Sequence, residues 1–373
     1  MQRISARFAM VTSAAFSLNL LRGRRMHLGA FLLVLGNLVL ASIYSAQLPI
    51  LEGQDEHEHV AVVEYIVRTG TYPVVGPGAP IQAYHPPLYY ALMAGLAKPA
   101  PRVDELHRNP AWGYDLYRPG NDNKNQFVHT NAEEFPYAGS ALTVHVLRIA
   151  TAMMAAGMAA LTFATAQEIF PGAAFEALAS AALVAFLPAW LASSSAVGND
   201  ALAGALHIYI AVRALTRNTS WRLVIALGIA TGLLWLTKLS ATIVVPIAWA
   251  AVALGRSDKH RRYGDIARRV GVLLAVALTL SGWWFVRSYT LYGDVTAVSA
   301  VDRLIGVTGW NWQGWRWYAD VLLQLVQDFW LRFSLGTVVA PAAVYLVLAG
   351  LSMLSIVGGG RWLWRRAWKP AGP

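Results

Sequence analysis

Hydrophobic positions fall into long runs separated by short polar breaks. An α-helix needs roughly 20 apolar residues to cross a bilayer, and several runs approach that length. The first, residues 27–47, follows an N-terminal segment, 1–26, in which five arginines flank an apolar stretch too short to span. Cleavage of that segment as a signal peptide would leave Arg22, Arg24 and Arg25 outside, against the preference of positive charge for the cytoplasm. A cytoplasmic juxtamembrane helix is therefore expected. Six more spans are expected over 143–286, the first starting at its edge: 142–169, 173–191, 201–215, two within 221–255, and 270–286. Past Arg222 at its start, the 221–255 run carries one charge, Lys238. A lysine at mid-bilayer is costly, and a hinge that puts Lys238 outside avoids the cost. A last span, 337–357, leads to a basic tail, 358–373. The pattern predicts an all-α polytopic membrane protein of about eight transmembrane helices with both ends in the cytoplasm.

Two long segments lie outside in this topology, 48–142 and 287–336. Two helices are expected in the first. Val60, Val63, Ile66 and Val67 recur at helical spacing, and Gly70 is a suitable stop. Asp55 followed by Glu58 has the form of a capping box, so this helix covers 55–69. Residues 86–97 are apolar but about half a span long, and read as an interfacial or re-entrant helix with Tyr89 and Tyr90 at headgroup depth. Residues 98–139, rich in Pro, Asn, Gly and Tyr, read as irregular. No internal repeat is evident.

Composition supports the membrane reading: of 373 residues, 56% are hydrophobic and 13% charged. A net charge of +10 invites a nucleic-acid partner. Against that, Lys and Arg cluster beside the ends of apolar runs, most densely in 256–269, which marks that loop as cytoplasmic. Eleven of the 20 acidic residues instead fall in 48–142. No cysteine is present, so disulfides and thiol chemistry are excluded.

A concentrated polar patch at a membrane boundary is the first place to look for chemistry, and here it is residues 52–90. Asp55 either caps a helix or serves as a base, and the two roles are compatible. Asp55, Glu56, His57, Glu58 and His59 are suitable metal-ligand types, but on a helix only Asp55 and His59, four apart, share a face. No cofactor is expected, with a divalent metal at that pair kept as the alternative.

The Asp55-Glu56 pair after the first span, the helix ending in Gly70-x-x-Pro73, and Tyr84-His85-Pro86-Pro87-Leu88-Tyr89-Tyr90 resemble the first external loop of GT-C superfamily glycosyltransferases. The similarity is to the branch of protein O-mannosyltransferases, lipid A aminoarabinose transferases and uncharacterised bacterial membrane proteins. Gly198-Asn199-Asp200, Leu236-Thr237-Lys238-Leu239, Gly282-Trp283-Trp284, Arg287 and Leu291-Tyr292-Gly293-Asp294 extend it over about residues 30–300. Aminoarabinose transferases often carry Lys where this chain has His85.

The resemblance implies transfer of a sugar from a polyprenyl-phosphate donor to an extracytoplasmic glycan, lipid or protein. The protein would sit in a bacterial inner membrane with its site outside. Asp55 is the implied base of an inverting transfer. Glu56, pointing about 100° away on a helix, would orient Arg or Tyr neighbours. His85, Lys238 and Arg287 are candidates to stabilise the leaving phosphate, or are snorkelling or loop-pairing cations. Tyr84 and Tyr89 could line a lipid groove or anchor the interface, with His59 beside them. Trp310–Trp317 could stack on sugar or form an interface belt. Asn199 and Asp200 either line the same site or cap a helix. Two other classes stay open: a non-catalytic lipid or glycan translocation protein, and an intramembrane metallohydrolase, which the missing HExxH motif disfavours.

Overall fold

The apolar runs fold as helices, because a chain surrounded by apolar material must satisfy its backbone hydrogen bonds within each segment. The computed structural model describes residues 2–112, 124–202, 205–217, 220–255, 263–306, 314–332 and 339–367. Among these residues there is no strand beyond an isolated bridge between Arg108 and Phe127. The helices are α1 (Gln2–Gln47), α2 (Glu56–Thr69), α3 (Leu88–Ala97), α4 (Gly139–Ile169), α5 (Ala174–Ala185), α6 (Pro188–Ser194), α7 (Ala205–Thr216), α8 (Trp221–Trp235), α9 (Val245–Leu254), α10 (Tyr263–Tyr292), α11 (Val298–Ile305), α12 (Trp315–Trp330) and α13 (Ala342–Ala367).

Four of these contain a stretch long and apolar enough to cross a membrane: Arg25–Gln47, Gly139–Ile169, Tyr263–Tyr292 and Ala342–Arg361. A fifth span is possible by composition if α5 and α6 count together, although they bend by 56° at their junction. Pro188 opens α6, where the missing N–H costs a helix nothing but cannot continue the one before it. Lys238 falls at a break, as expected. α8 stops at Trp235, a 3-10 turn covers Leu239–Val244, and α9 follows. α7, α8 and α9 have 12, 15 and 10 residues, short of a full crossing. The apolar runs suggested longer helices there because hydropathy does not register a turn made of apolar residues. α10 also extends beyond the expected 270–286 at both ends. Arg268 and Arg269 lie on it, over the Trp221 ring. Arg256, Lys259, Arg261, Arg262, Trp310 and Trp312 lie outside the described residues. Trp315 and Trp317 are on α12.

α2 and α3 fall where the sequence puts helices in the first external loop. Gly70 ends α2 in the left-handed conformation, φ 69°, which costs glycine little. The inward faces of α2 and α3 meet the first turns of α4 in one apolar core, with Val60, Val63, Tyr89, Tyr90, Met93 and Leu147 buried. Elsewhere apolar side chains stay exposed along α1 (Phe31, Leu35, Val39, Ile43) and α13 (Leu346, Val347, Leu351, Leu354). Rows of that kind are rare on a protein surrounded by water.

α8 and α10 pack through small residues. A Cβ at Gly228 would lie 2.8 Å from the Leu273 carbonyl oxygen, and one at Gly232 would lie 2.9 Å from that of Ala277. The four-residue spacing is the small-xxx-small pattern that lets helix backbones approach closely. Gly228→Leu is expected to destabilise the protein by about 1–3 kcal/mol, typical of overpacking. Gly157→Ala, which meets nothing within 4 Å, should be near neutral. Equal melting midpoints for the two variants in detergent would contradict this packing.

Candidate functional site

The site is built where α1 ends. The last carbonyls of a helix lack intrahelical partners, and here one arginine takes that of Ser45 together with two just past the helix end. Arg148, on α4 and fully buried, donates from Nη1 to the carbonyls of Ser45 (2.9 Å) and Leu48 (2.7 Å) and from Nη2 to that of Pro49 (2.8 Å). Its Nε and Nη2 each donate to Glu56 at 2.7 Å. All five guanidinium N–H groups are thereby used. Glu56, also fully buried, accepts in addition from the Val197 N–H (2.9 Å) and the Gly53 N–H (3.2 Å). Burial by itself raises a carboxyl pKa, but the Arg148 charge and these bonds outweigh it and hold Glu56 below its ordinary 4.5. The clamp joins α1, α2, α4 and the segment after α6. A Cβ at Gly53 would lie 2.4 Å from the Ala196 Cβ, so only glycine fits there.

Asp55 precedes Glu56, at the entrance to α2. Its φ of 55° and ψ of 8° are left-handed, a conformation Asp tolerates better than most residues. Its side chain makes no capping hydrogen bond. The expected capping box therefore does not form: caps normally adopt the extended region, and the left-handed backbone aims this carboxylate elsewhere. Glu58 is instead occupied by the Ile81 N–H (2.8 Å).

The Asp55 carboxylate borders a cavity of about 1190 Å³. His59, Tyr84, His85, Asp200 and Lys238 border it as well. Tyr44, Leu48, Leu187 and Trp190 supply apolar wall, and Asp328, Phe329 and Arg332 approach at the end of α12. Asp55 is reached by solvent on one side, yet partial burial raises its pKa above the ordinary 3.8, with the His57 charge opposing the rise and Glu58 adding to it.

The candidates of the sequence divide at this cavity. Asp55, His59, Tyr84, His85 and Lys238 come together. Lys238 is half-buried and paired with Asp200. Glu56 is not at the cavity surface, so its place is in the clamp and not among reacting groups. Tyr89 is fully buried, hydrogen-bonded to the Thr151 hydroxyl (2.8 Å) and the Gly198 N–H (3.0 Å). Arg287 also stands apart. It donates to the Pro73 carbonyl (3.0 Å) and lies over the Tyr72 and Trp284 rings. His85 departs from its expected role as a cation, because burial and the nearby Lys238 charge push it down to about 4. It is a neutral ring at pH 7, against Tyr84.

Burial, with His85 and Lys238 adding, pushes His59 further, to about 3; it shares a 2.7 Å hydrogen bond with the Tyr90 hydroxyl. Among the described residues no group of three His, Asp or Glu is placed to hold a metal. Asp200 lines the cavity, while Asn199 is buried and donates to the Thr237 carbonyl (3.3 Å).

Two residues of the site escaped sequence reasoning. Arg148 had a signal, a lone charge inside an apolar run, which by default marks function or a buried partner. Arg332 had none: it follows α12 as an ordinary charge, four residues after its ion-pair partner Asp328.

The two neutral histidines set an acid limit on stability. Both folded pKa values lie below the ordinary 6.5, so the unfolded chain protonates first. Their contribution is complete above about pH 6.5 and declines as pH falls toward 4 and 3. The melting midpoint is expected to drop over that window, and to drop less in a His59→Gln, His85→Gln variant. An unchanged slope in the variant would remove the histidines as its cause.

A scan against protein-family models finds no match for this chain, and a search of curated proteins finds none either.

Proposed function

We propose that this protein is an integral membrane glycosyltransferase of the GT-C type. It would move a sugar from a polyprenyl-phosphate donor to an extracytoplasmic hydroxyl acceptor with inversion. One observation carries the reading: Asp55, next to the Glu56–Arg148 clamp and eight residues past the end of α1, lines a cavity that Lys238 and Arg332 also line. The resemblance of the Asp55-Glu56 loop to that superfamily agrees with it.

In this mechanism Asp55 accepts the proton of the acceptor hydroxyl. The acceptor oxygen attacks the anomeric carbon, and the bond from that carbon to the phosphate oxygen breaks on the opposite face. The electron pair leaves with polyprenyl phosphate. Lys238 and Arg332, rather than His85 and Arg287, offset the charge of the leaving group. Each is paired with a carboxylate, Asp200 or Asp328, which keeps the cavity balanced before the phosphate enters. The apolar wall of Tyr44, Leu48, Leu187 and Phe329 accommodates the first isoprene units.

The topology that goes with this function has eight spans, with the short helices α7, α8 and α9 among them, in a bacterial inner membrane. Because the chain has no cysteine, single cysteines test it cleanly. A cysteine replacing Phe135 is expected to react with an impermeant reagent from outside, and one replacing Tyr263 only after permeabilisation. The reverse pattern overturns the topology. The function is tested in proteoliposomes by release of polyprenyl phosphate from a panel of polyprenyl-phosphate sugars, with wild type and Asp55→Asn compared.

A further inference from the structure

We infer that α12 lies flat in the membrane interface on the cavity side of the bilayer, with its apolar face in the leaflet, and that the cavity thereby opens sideways at headgroup depth to membrane-resident amphiphiles. This rests on the membrane reading of the chain and not on the transferase chemistry.

α12 is amphipathic along its 16 residues. At about 100° per residue, Trp315, Leu322, Val326 and Phe329 share one face, with Leu325 beside them. Arg316, Asp320, Gln324 and Gln327 share the opposite one. No residue of α12 is buried, and Leu322, Leu323, Leu325 and Phe329 each expose more than half of their surface. A bare apolar row of this kind is costly in water and rare on a protein that water surrounds.

Two observations point to the leaflet as what covers it. The first is attachment. Tyr345, on α13, donates from its hydroxyl to the Leu331 carbonyl (3.0 Å) and accepts from the Ala340 N–H (2.9 Å). The end of α12 is thereby tied to the first turn of a helix that is long and apolar enough to span and bare along its sides. α12 therefore ends where that span meets the membrane boundary. The second is composition. Trp315, Trp317 and Trp330 stand near its two ends, and Trp is enriched at headgroup depth. Arg316 is offset by Asp320 and Asp328, so apolar burial, and not attraction to anionic lipid, holds the helix there.

This orientation fixes where the cavity opens. Gln324 and Asp328 border the cavity from the polar side of α12, and Phe329 borders it from the apolar side. The cavity thus meets the helix along the line where the two sides join. In a helix lying in the plane of the interface, that line is level with the headgroups. An amphiphile can then bring a charged headgroup to Arg332, which also borders the cavity, while its tail stays among the acyl chains.

Because the chain has no cysteine, a nitroxide can be placed on single cysteines at each position of 315–327 in the full chain, held in phosphatidylcholine nanodiscs. Collision with oxygen, which concentrates among acyl chains, and with a nickel chelate, which stays in water, gives the depth of each label. Labels replacing Leu322 and Leu325 are expected about 5–10 Å below the headgroup boundary, and labels replacing Asp320 and Gln327 in water. Depth should vary along the scan with the helical period of about 3.6 residues. The period is read from many positions, so one variant that fails to fold does not remove it. Three results overturn the inference. Nickel access on both faces puts α12 in water. Loss of access to both reagents at Leu322 and Leu325 shows that protein, a second copy or another chain, covers the face. Oxygen access all round makes α12 a buried span. No sugar donor enters the measurement, so its outcome is independent of the transferase reading.

Discussion

Asp55→Asn is expected to lower sugar transfer at least about 100-fold, the lower end of what a general base contributes, with folding unchanged. The structure separates the two effects. The Asp55 side chain makes no capping hydrogen bond, so stability owes little to its charge. Asparagine is as tolerant as aspartate of the left-handed backbone at this position. What the substitution removes is the proton acceptor at the cavity surface. Single-turnover transfer in proteoliposomes measures the loss, and size-exclusion and melting profiles check the fold. Burial raises the Asp55 pKa above its ordinary 3.8. The base works only when ionised, so the acid limb of kcat/KM should lie above that value and activity should rise with pH through it. Near-normal transfer by Asp55→Asn would end its role as base. In that case the translocation reading would gain ground, because a translocation protein tolerates this change.

The second large effect falls on stability. Glu56→Gln leaves the Arg148 guanidinium buried without its counter-charge, and Arg148→Met leaves Glu56 in the same position. Breaking a buried pair in this way costs about 3–5 kcal/mol. Arg148→Met also removes the donor to the Ser45, Leu48 and Pro49 carbonyls at and just past the end of α1. Both single variants should be poorly folded in the membrane, and transfer should fall in proportion to folded protein. The double variant Glu56→Gln, Arg148→Met should be less destabilised than the sum of the two, since no unpaired charge remains. The Glu56 pKa is depressed below 4.5, so the pair contributes fully above that pH and is lost only as pH falls through the lowered value. If Glu56→Gln folds as wild type yet transfers nothing, Glu56 takes part in the chemistry and the clamp assignment is wrong.

Much of this molecule was legible in one dimension. Run length and period are local properties, so they located α1, α2, α3, α4 and the last span. Gly70 and Lys238 marked real helix ends for local reasons, glycine through its backbone freedom and lysine through the cost of a charge in an apolar medium. Asp55 at the exit of the first span was legible too, because its place depends on a boundary and not on a partner.

What only the tertiary structure decided is everything set by distant neighbours. Glu56 and Arg148 are 92 residues apart, and no spacing rule joins them. Lys238 and Arg287 look alike in sequence, as basic residues beside apolar runs; packing turned one toward the cavity and the other onto Tyr72 and Trp284. His85 was read as a cation from its type, but its charge is fixed by burial and by Lys238, and both follow from the fold. The capping box failed for the same kind of reason. Asp55 stands in a left-handed turn directly before the clamped Glu56, and the partner that holds Glu56 lies 92 residues away, outside the reach of a local cap pattern.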